Sequence, residues 1–287
     1  MIINWYPGHM AKAKRLIQEN LKIIDVVIEL VDARIPMSST NPMIKSLIGD
    51  KPSIVVLNKA DLADPAVLDE WVAYYKQQGR KVLALNSKGG KGVKQLISLV
   101  RSLAAPRLAR WKARGLKNRA VRTMILGIPN VGKSTLINKL SRRSAAKTAD
   151  KPGETKGKQW VHIGDQLDLL DTPGVLWPKL ENQVNAYRLA ATGAISDTVF
   201  DMETVIMQLI EQLSAQYPDK LKARYKLETL CDKPLDTIEA IGRKRGCIVS
   251  GGVVDLEKTY KLILKEFREG KIGAISLDRL GEWEGED

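Results

Sequence analysis

Cysteine and histidine are scarce. The 287 residues contain two of each: Cys231 and Cys247, His9 and His162. Neither cysteine sits in a CxxC pair or beside a histidine, so the spacing that a structural zinc module needs is absent. The two thiols read as free, as in the reducing cytoplasm. Long apolar runs are missing as well. No stretch of about 18 apolar residues occurs, so no membrane-spanning helix is expected. The opening residues, Met1-Ile-Ile-Asn-Trp-Tyr-Pro-Gly-His9, show no basic region followed by a long apolar one, and are not expected to be a secretory signal.

Acidic residues are nearly absent from one part of the chain. Residues 101–160 hold 16 Lys and Arg against two acids, Asp150 and Glu154, whereas residues 175–287 hold 16 against 19. The net charge of +13 therefore belongs mainly to the middle of the chain. A few cations would serve a bound polyphosphate. The excess points to a polyanionic partner, RNA in the first place.

What is present is a set of short motifs for a guanine nucleotide. Gly127-Ile-Pro-Asn-Val-Gly-Lys-Ser134 fits the phosphate-loop pattern GxxxxGK[ST]. Its backbone, through Asn130, Val131, Gly132 and on to Thr135, would turn N–H groups toward phosphates at the positive end of a helix. Lys133 supplies a cation to the β- and γ-phosphate oxygens, and the Ser134 hydroxyl suits Mg2+. Asp171-Thr-Pro-Gly174 fits DxxG. Asp171 would hold the Mg2+ through water, and the Gly174 N–H would meet the γ-phosphate. Thr155, in Pro152-Gly-Glu-Thr155, lies between these motifs, where a switch threonine ligates Mg2+ when the γ-phosphate is present.

Asn58-Lys-Ala-Asp61 fits NKxD. The Asp61 carboxylate can accept hydrogen bonds from guanine N1–H and the exocyclic amine, a pair that adenine does not offer. Lys59 can lie along the purine, and Asn58 can tie this loop to the phosphate loop. Asn86-Ser87-Lys88 stands where a further base loop belongs, through a backbone contact to the guanine O6. The expected ligands are GTP or GDP with Mg2+. The expected reaction is GTP hydrolysis, with Lys133 and Thr155 in catalytic roles.

In an ordinary GTPase the phosphate loop comes first. Here both base loops precede it, which marks a circular permutation. Strand patterns at 26–32, 53–57, 81–85, 121–126, 159–163 and 166–170 alternate with helix patterns at 10–24, 66–78, 93–103 and from Lys133 to Leu140. They predict an α/β fold, a doubly wound and mostly parallel sheet. Residues 106–120 are predicted to be a basic tether joining the usual end of the domain to its usual beginning. Beyond Gly174, helix patterns at 201–216, 235–245 and 255–269 follow without strands, with Asp201 and Asp255 as N-caps and Gly246 and Gly270 as stops. The predicted domains are a permuted GTPase domain over 1–178 and a small all-α, RNA- or ribosome-binding domain over 179–287. His162, in a strand pattern, reads as structural.

The order NKAD, NSK, GIPNVGKS, PGET, DTPG, with Trp5-Tyr-Pro-Gly-His-Met-Ala-Lys-Ala13 at the start, resembles the ribosome biogenesis GTPase A family over the whole chain. The resemblance implies a cytoplasmic factor acting late in maturation of the large (50S) ribosomal subunit. It implies nucleotide-dependent binding to rRNA and precursor particles, with ribosomal proteins as further contacts, and a GTPase activity raised by those particles. A monomer is expected away from the ribosome. The resemblance also bears on catalysis. Val175 and Leu176 follow Gly174, where many GTPases carry a water-orienting glutamine. By resemblance His9 takes that role, and an imidazole can orient or accept from water near neutral pH. Asn130, again by resemblance, would hold K+ against the phosphates.

Three other readings compete, of which a signalling GTPase read by proteins is disfavoured by the basic stripe. Other permuted ribosome-associated GTPases carry an N-terminal OB-fold or a zinc site. The first strand here begins at Val26, which leaves no room for the former, and no Cys/His set exists for the latter. An RNA-modification GTPase would need a catalytic cysteine motif or cofactor loop, which the C-terminal helices lack.

Overall fold

The computed structural model describes residues 7–115, 119–144, 159–172, 174 and 182–282, with only the backbone described for 7–13, 142–144 and 159. The first part of the chain alternates helices and strands: α1 (Pro7–Leu21), β1 (Val26–Asp32), α2 (Pro42–Ile48), β2 (Ser53–Asn58), α3 (Pro65–Gln77) and β3 (Lys81–Leu85). It continues with α4 (Val93–Ala113), β4 (Val121–Gly127), α5 (Lys133–Ser144), β5 (Gln159–Ile163) and β6 (Leu167–Asp171). The strands form one sheet in the order β3-β2-β1-β4-β6-β5. All neighbours are parallel except β5 and β6, which form an antiparallel hairpin about the tight turn at Gly164.

The sheet forms because its central strands are apolar on both faces. All seven residues of β1 are buried, as a parallel strand covered on two sides requires. Val26, Ile28 and Leu30 pack with Ile54, Val56 and Ile125 and with Leu96 and Val100 of α4. Val27 turns to the other face, toward Ile17 of α1 and Ile44 of α2. Val31, also on that face, meets Val67 and the fully buried Trp71 of α3. Burying side chains of this size contributes about 1.5–3 kcal/mol each, so register errors here would be costly.

Beyond the sheet the described chain is helical: α6 (Gln183–Thr192), α7 (Met202–Gln216), α8 (Pro218–Tyr225), α9 (Pro234–Lys244) and α10 (Leu256–Arg268), then an extended run closing in a short 3-10 turn at Leu280–Glu282. Asp201 and Asp255 cap α7 and α10 by accepting from the N–H groups of Thr204 and Lys258. Gly246 and Gly270 take positive φ just past α9 and α10. The apolar cluster on the α4 face of the sheet continues into these helices, through Leu189, Ile206, Leu209, Ile241 and Ile263. The boundary expected near 178 falls in 175–181, outside the described residues.

Helix α4 departs from the expectation of a helix ending at 103 and a tether from 106. It runs unbroken through Pro106 to Ala113. Pro106 has no N–H for the carbonyl of Ser102, but Ser102 is exposed, and water can take that carbonyl. Ala, Leu, Arg and Lys on both sides keep helix propensity high. Arg107 then fixes the extension. Its guanidinium meets the buried Asp25 at 3.1 Å, donates to the Ile24 carbonyl at 3.3 Å and lies over the Trp111 ring, which also carries Arg119. Helices α2, α6 and α8, each ten residues or fewer, were not expected. Their apolar positions are too few to show a period. His162 does lie in β5, but it is exposed and faces Asp168 across the hairpin, 2.6 Å away.

Candidate functional site

Loops that leave the carboxyl ends of parallel strands share one edge of a sheet, and ligands of such folds bind there. The motif loops leave β2, β3, β4 and β6 at that edge. One side chain joins three of them. Asn58, at the end of β2, donates from Nδ2 to the Val131 carbonyl of the phosphate loop at 2.8 Å, and its Oδ1 accepts the N–H of Ser87 at 3.1 Å. Asn58 is wholly buried, so each of those bonds lacks a water substitute. Gly132 is where the Asn58 amide crosses the loop. A Cβ there would sit 2.3 Å from Nδ2, and the backbone has φ +104°. Only glycine meets both conditions.

The phosphate loop and the DxxG segment form the walls of a cleft of ≈ 390 Å³. Gly132, Lys133, Ser134 and Thr135 line one side, and Asp171, Thr172 and Gly174 the other. Helix α5 begins at Lys133, so its unsatisfied N–H groups and positive dipole end open into the cleft. Lys133 is buried and donates to the carbonyls of Gly127 and Ile128 at 3.0 and 2.8 Å. Burial pulls its ammonium down to about 8, partly opposed by the charge of Asp171. A nucleotide's phosphates would restore the cation. Binding of GDP is therefore expected to take up protons near pH 8, and affinity to fall by about tenfold between pH 7 and 9 as free Lys133 loses its charge. Calorimetry in two buffers of different ionisation enthalpy checks this; a binding enthalpy independent of buffer would contradict it.

Ser134 and Asp171 offer Mg2+ a hydroxyl and a carboxylate from opposite walls of the same cleft. Hard oxygen donors with room for water are the set that ion prefers, so the residues fit it. Asn130 has a different engagement. Its backbone is left-handed, and its Nδ2 donates to the Gly193 carbonyl at the end of α6, 2.8 Å away. The phosphate loop thereby touches the helical part of the chain directly.

On the base side, Lys59 also has positive φ, and its ammonium meets Asp32 at 2.9 Å. Burial alone would raise the Asp32 carboxyl, but Arg34 and Lys59 beside it more than offset that and hold it well below the usual carboxylate range. Asp61 is exposed at the rim. Asn86 shapes the third loop: its Oδ1 and backbone carbonyl accept the N–H groups of Gly89 and Gly90 at 2.7 Å each. Ser87 is buried, while Lys88 is exposed and its carbonyl accepts from Lys139 at 3.4 Å. His9 lies in α1, but its side chain, like Thr155 and Val175, is outside the described residues. Asp32 and Arg34 were not singled out in the sequence. The available signal was an acid closing an apolar strand at the ligand edge of the sheet.

The family model described as 50S ribosome-binding GTPase matches residues 122–235. Over 285 residues, 99% of both chains, the sequence is 50% identical to ribosome biogenesis GTPase A of Priestia megaterium. It is 31% identical to the Thermotoga maritima protein of the same name over 96% of this chain and 94% of that one. Among solved structures, GNP-bound YlqF from T. maritima is similar, with a TM-score of 0.68 and 29% identity over 93% of this chain and 98% of that chain. The GDP-bound YlqF structure gives a TM-score of 0.67 and 28% identity over 92% and 99%. With guanine-nucleotide motifs gathered at one sheet edge and full-length relatives at this identity, the chain belongs to the ribosome biogenesis GTPase A family and is a GTPase.

Proposed function

We propose that this protein is a GTP-driven assembly factor for a late step of large (50S) subunit maturation. It binds rRNA and precursor particles better with GTP than with GDP, and is monomeric and cytoplasmic when unbound. Residues 1–178 act as the switch and 179–287 as the unit that reports its state to the particle. The nucleotide-binding residues are Asn58, Lys59, Asp61, Asn86, Ser87, Lys88, Asn130, Val131, Gly132, Lys133, Ser134, Thr135 and Gly174. Mg2+ falls to Ser134, Thr155 and Asp171, where it would neutralise charge on the phosphate oxygens. The observation that carries this reading is the Asn58 junction, because it makes one site of the base loops and the phosphate loop. K+ at Asn130 is a finer part of the proposal. The amide nitrogen is taken by Gly193, so the side-chain oxygen would serve the ion.

Charge favours a particular face for RNA. Helix α4 has 21 residues and no acid, and Arg101, Arg110 and Lys112 on it, with Arg114 just beyond, are exposed. The helical unit spends many of its cations internally. Arg224 and Arg245 pair with Glu266, Arg268 with Asp197, Arg243 with Glu239 and Lys261 with Glu257. Phosphate contacts along α4 would make particle binding fall steeply with salt.

The test compares GTP hydrolysis with large subunits, small subunits and tRNA. Stimulation by large-subunit particles alone supports the proposal; equal stimulation by all three, or by none, ends it. In the same assay His9→Ala is expected to lower the particle-stimulated kcat about 100-fold with nucleotide affinity nearly intact, the loss typical of one water-positioning group. Equal stimulated rates in variant and parent would remove His9 from catalysis.

A further inference from the structure

We infer that the C-terminal segment 270–279 braces the base-reading loop 58–64, so that the helical unit sets how sharply the protein recognises guanine. This rests on reading the NKxD loop as the base site. Asp61 directly precedes the stretch that the segment holds, at Leu62 and Asp64. The N–H of Ile275 donates to the Leu62 carbonyl at 2.8 Å. The N–H of Asp64 donates to the hydroxyl of the fully buried Ser276 at 3.1 Å. Lys220 of α8 closes the joint: its ammonium meets Asp64 Oδ2 at 3.3 Å, donates to the Ala274 carbonyl and sits 4.5 Å from the centre of the Tyr217 ring.

The other end of the loop is held by the sheet, through Asn58 and the Lys59–Asp32 pair. Asp61 is therefore suspended between two supports, the sheet on one side and the C-terminal segment on the other. The segment is itself fixed to both parts of the molecule. Leu277 N–H donates to the Arg34 carbonyl at 2.8 Å. The buried Asp278 carboxylate accepts from the N–H and hydroxyl of Ser38 and from Arg188 of α6. Gln212 of α7 donates to the Leu277 carbonyl at 2.6 Å, and the Tyr217 hydroxyl to that of Ser276 at 3.2 Å. A shift of the helices would carry the segment with it, and the segment would carry Leu62 and Asp64.

A carboxylate that takes two hydrogen bonds from one base edge must be placed to within about 0.5 Å. Inosine lacks the exocyclic amine and offers Asp61 one bond instead of two. The ratio of GDP to IDP affinity therefore reads how well the second bond is made, and a purely structural defect would not move it.

The experiment uses the full-length protein with Lys220→Ala, Ser276→Ala, the double variant and Lys220→Arg. GDP, IDP and ADP affinities are measured by competition, with thermal unfolding alongside. The double variant is expected to lose about tenfold in GDP affinity and no more than about threefold in IDP affinity, since two hydrogen bonds holding the loop are gone. Lys220→Arg should keep the parent's ratio. A folded double variant with the parent's GDP-to-IDP ratio overturns the inference, whatever its melting temperature. Should the double variant not fold, Lys220→Ala, at a partly exposed side chain, decides alone: a ratio narrowed about threefold supports the brace, and an unchanged one overturns it. A parent that binds ADP as well as GDP overturns the base-site reading and the inference with it, which keeps the two failures distinguishable.

Discussion

Asp61→Asn should cost this GTPase about 2–4 kcal/mol of guanine-nucleotide affinity, roughly 30- to 1000-fold, and should turn its preference toward xanthine nucleotides. Guanine presents two donors to this position, N1–H and the exocyclic amine. An asparagine amide answers at least one of them with another donor, and the pair is left unmatched. Xanthine carries an oxygen in place of that amine, so the amide N–H regains a partner. The geometry makes the change local. Asp61 is exposed at the rim, whereas the loop around it is held by Asn58 and by Leu62 and Asp64. Fold and melting temperature should therefore hardly move. Competition of GDP and XDP for the variant measures the exchange, and an unaltered preference for GDP would show that the base sits elsewhere.

Gly174→Ala should act on the opposite end of the nucleotide. A methyl group at 174 would lie 2.8 Å from the Pro129 nitrogen and 2.9 Å from both Pro129 Cα and Lys133 Nζ. Two of these are backbone atoms of the phosphate loop, so the strain cannot be relieved by turning one flexible side chain. The DxxG segment must draw back, and its N–H can no longer reach a γ-phosphate. GDP has no γ-phosphate and should lose less than about fivefold in affinity. Single-turnover GTP hydrolysis should fall by about 100-fold, in line with removal of one backbone donor from a developing charge. Retention of the parent rate would show that Gly174 stays clear of the reacting phosphate.

What could be read in advance follows from the range of the interactions involved. β1 and β2 were legible to within a residue because burial on both faces makes them runs of Val, Ile and Leu, a purely local mark. β3, at the sheet edge and only partly buried, was legible because Val82-Leu-Ala-Leu85 is still a short apolar run. The caps Asp201 and Asp255 were legible for the same reason. Motif loops are contiguous too, and their attachment to strand ends told which edge of the sheet they share. Helix α4 was not legible past Leu103. Pro106 argues locally for a break, and what outweighs it is Asp25, a buried acid on a distant turn that Arg107 and Arg119 reach. The same holds around the site. Lys59 is held by Asp32, Asn130 by Gly193, and Leu62 by Ile275. Each is a long-range contact made by residues whose type, taken alone, has no special meaning.

The strand order has a consequence for the birth of the chain. β1 pairs with β2 on one side and with β4 on the other. β2 is made soon after β1, but β4 starts at Val121, roughly 90 residues after β1 ends. At about 5–20 residues per second of synthesis, that edge waits roughly 5–20 s for its partner. During the wait it offers an unpaired row of N–H and C=O groups and seven residues that the finished protein never exposes. Such an edge recruits any strand that comes near. The central pairing of β1 with the late-made β4 thus gives the nascent chain an interval of stickiness, so that chaperone capture and aggregation should peak while residues between β3 and β4 are being added.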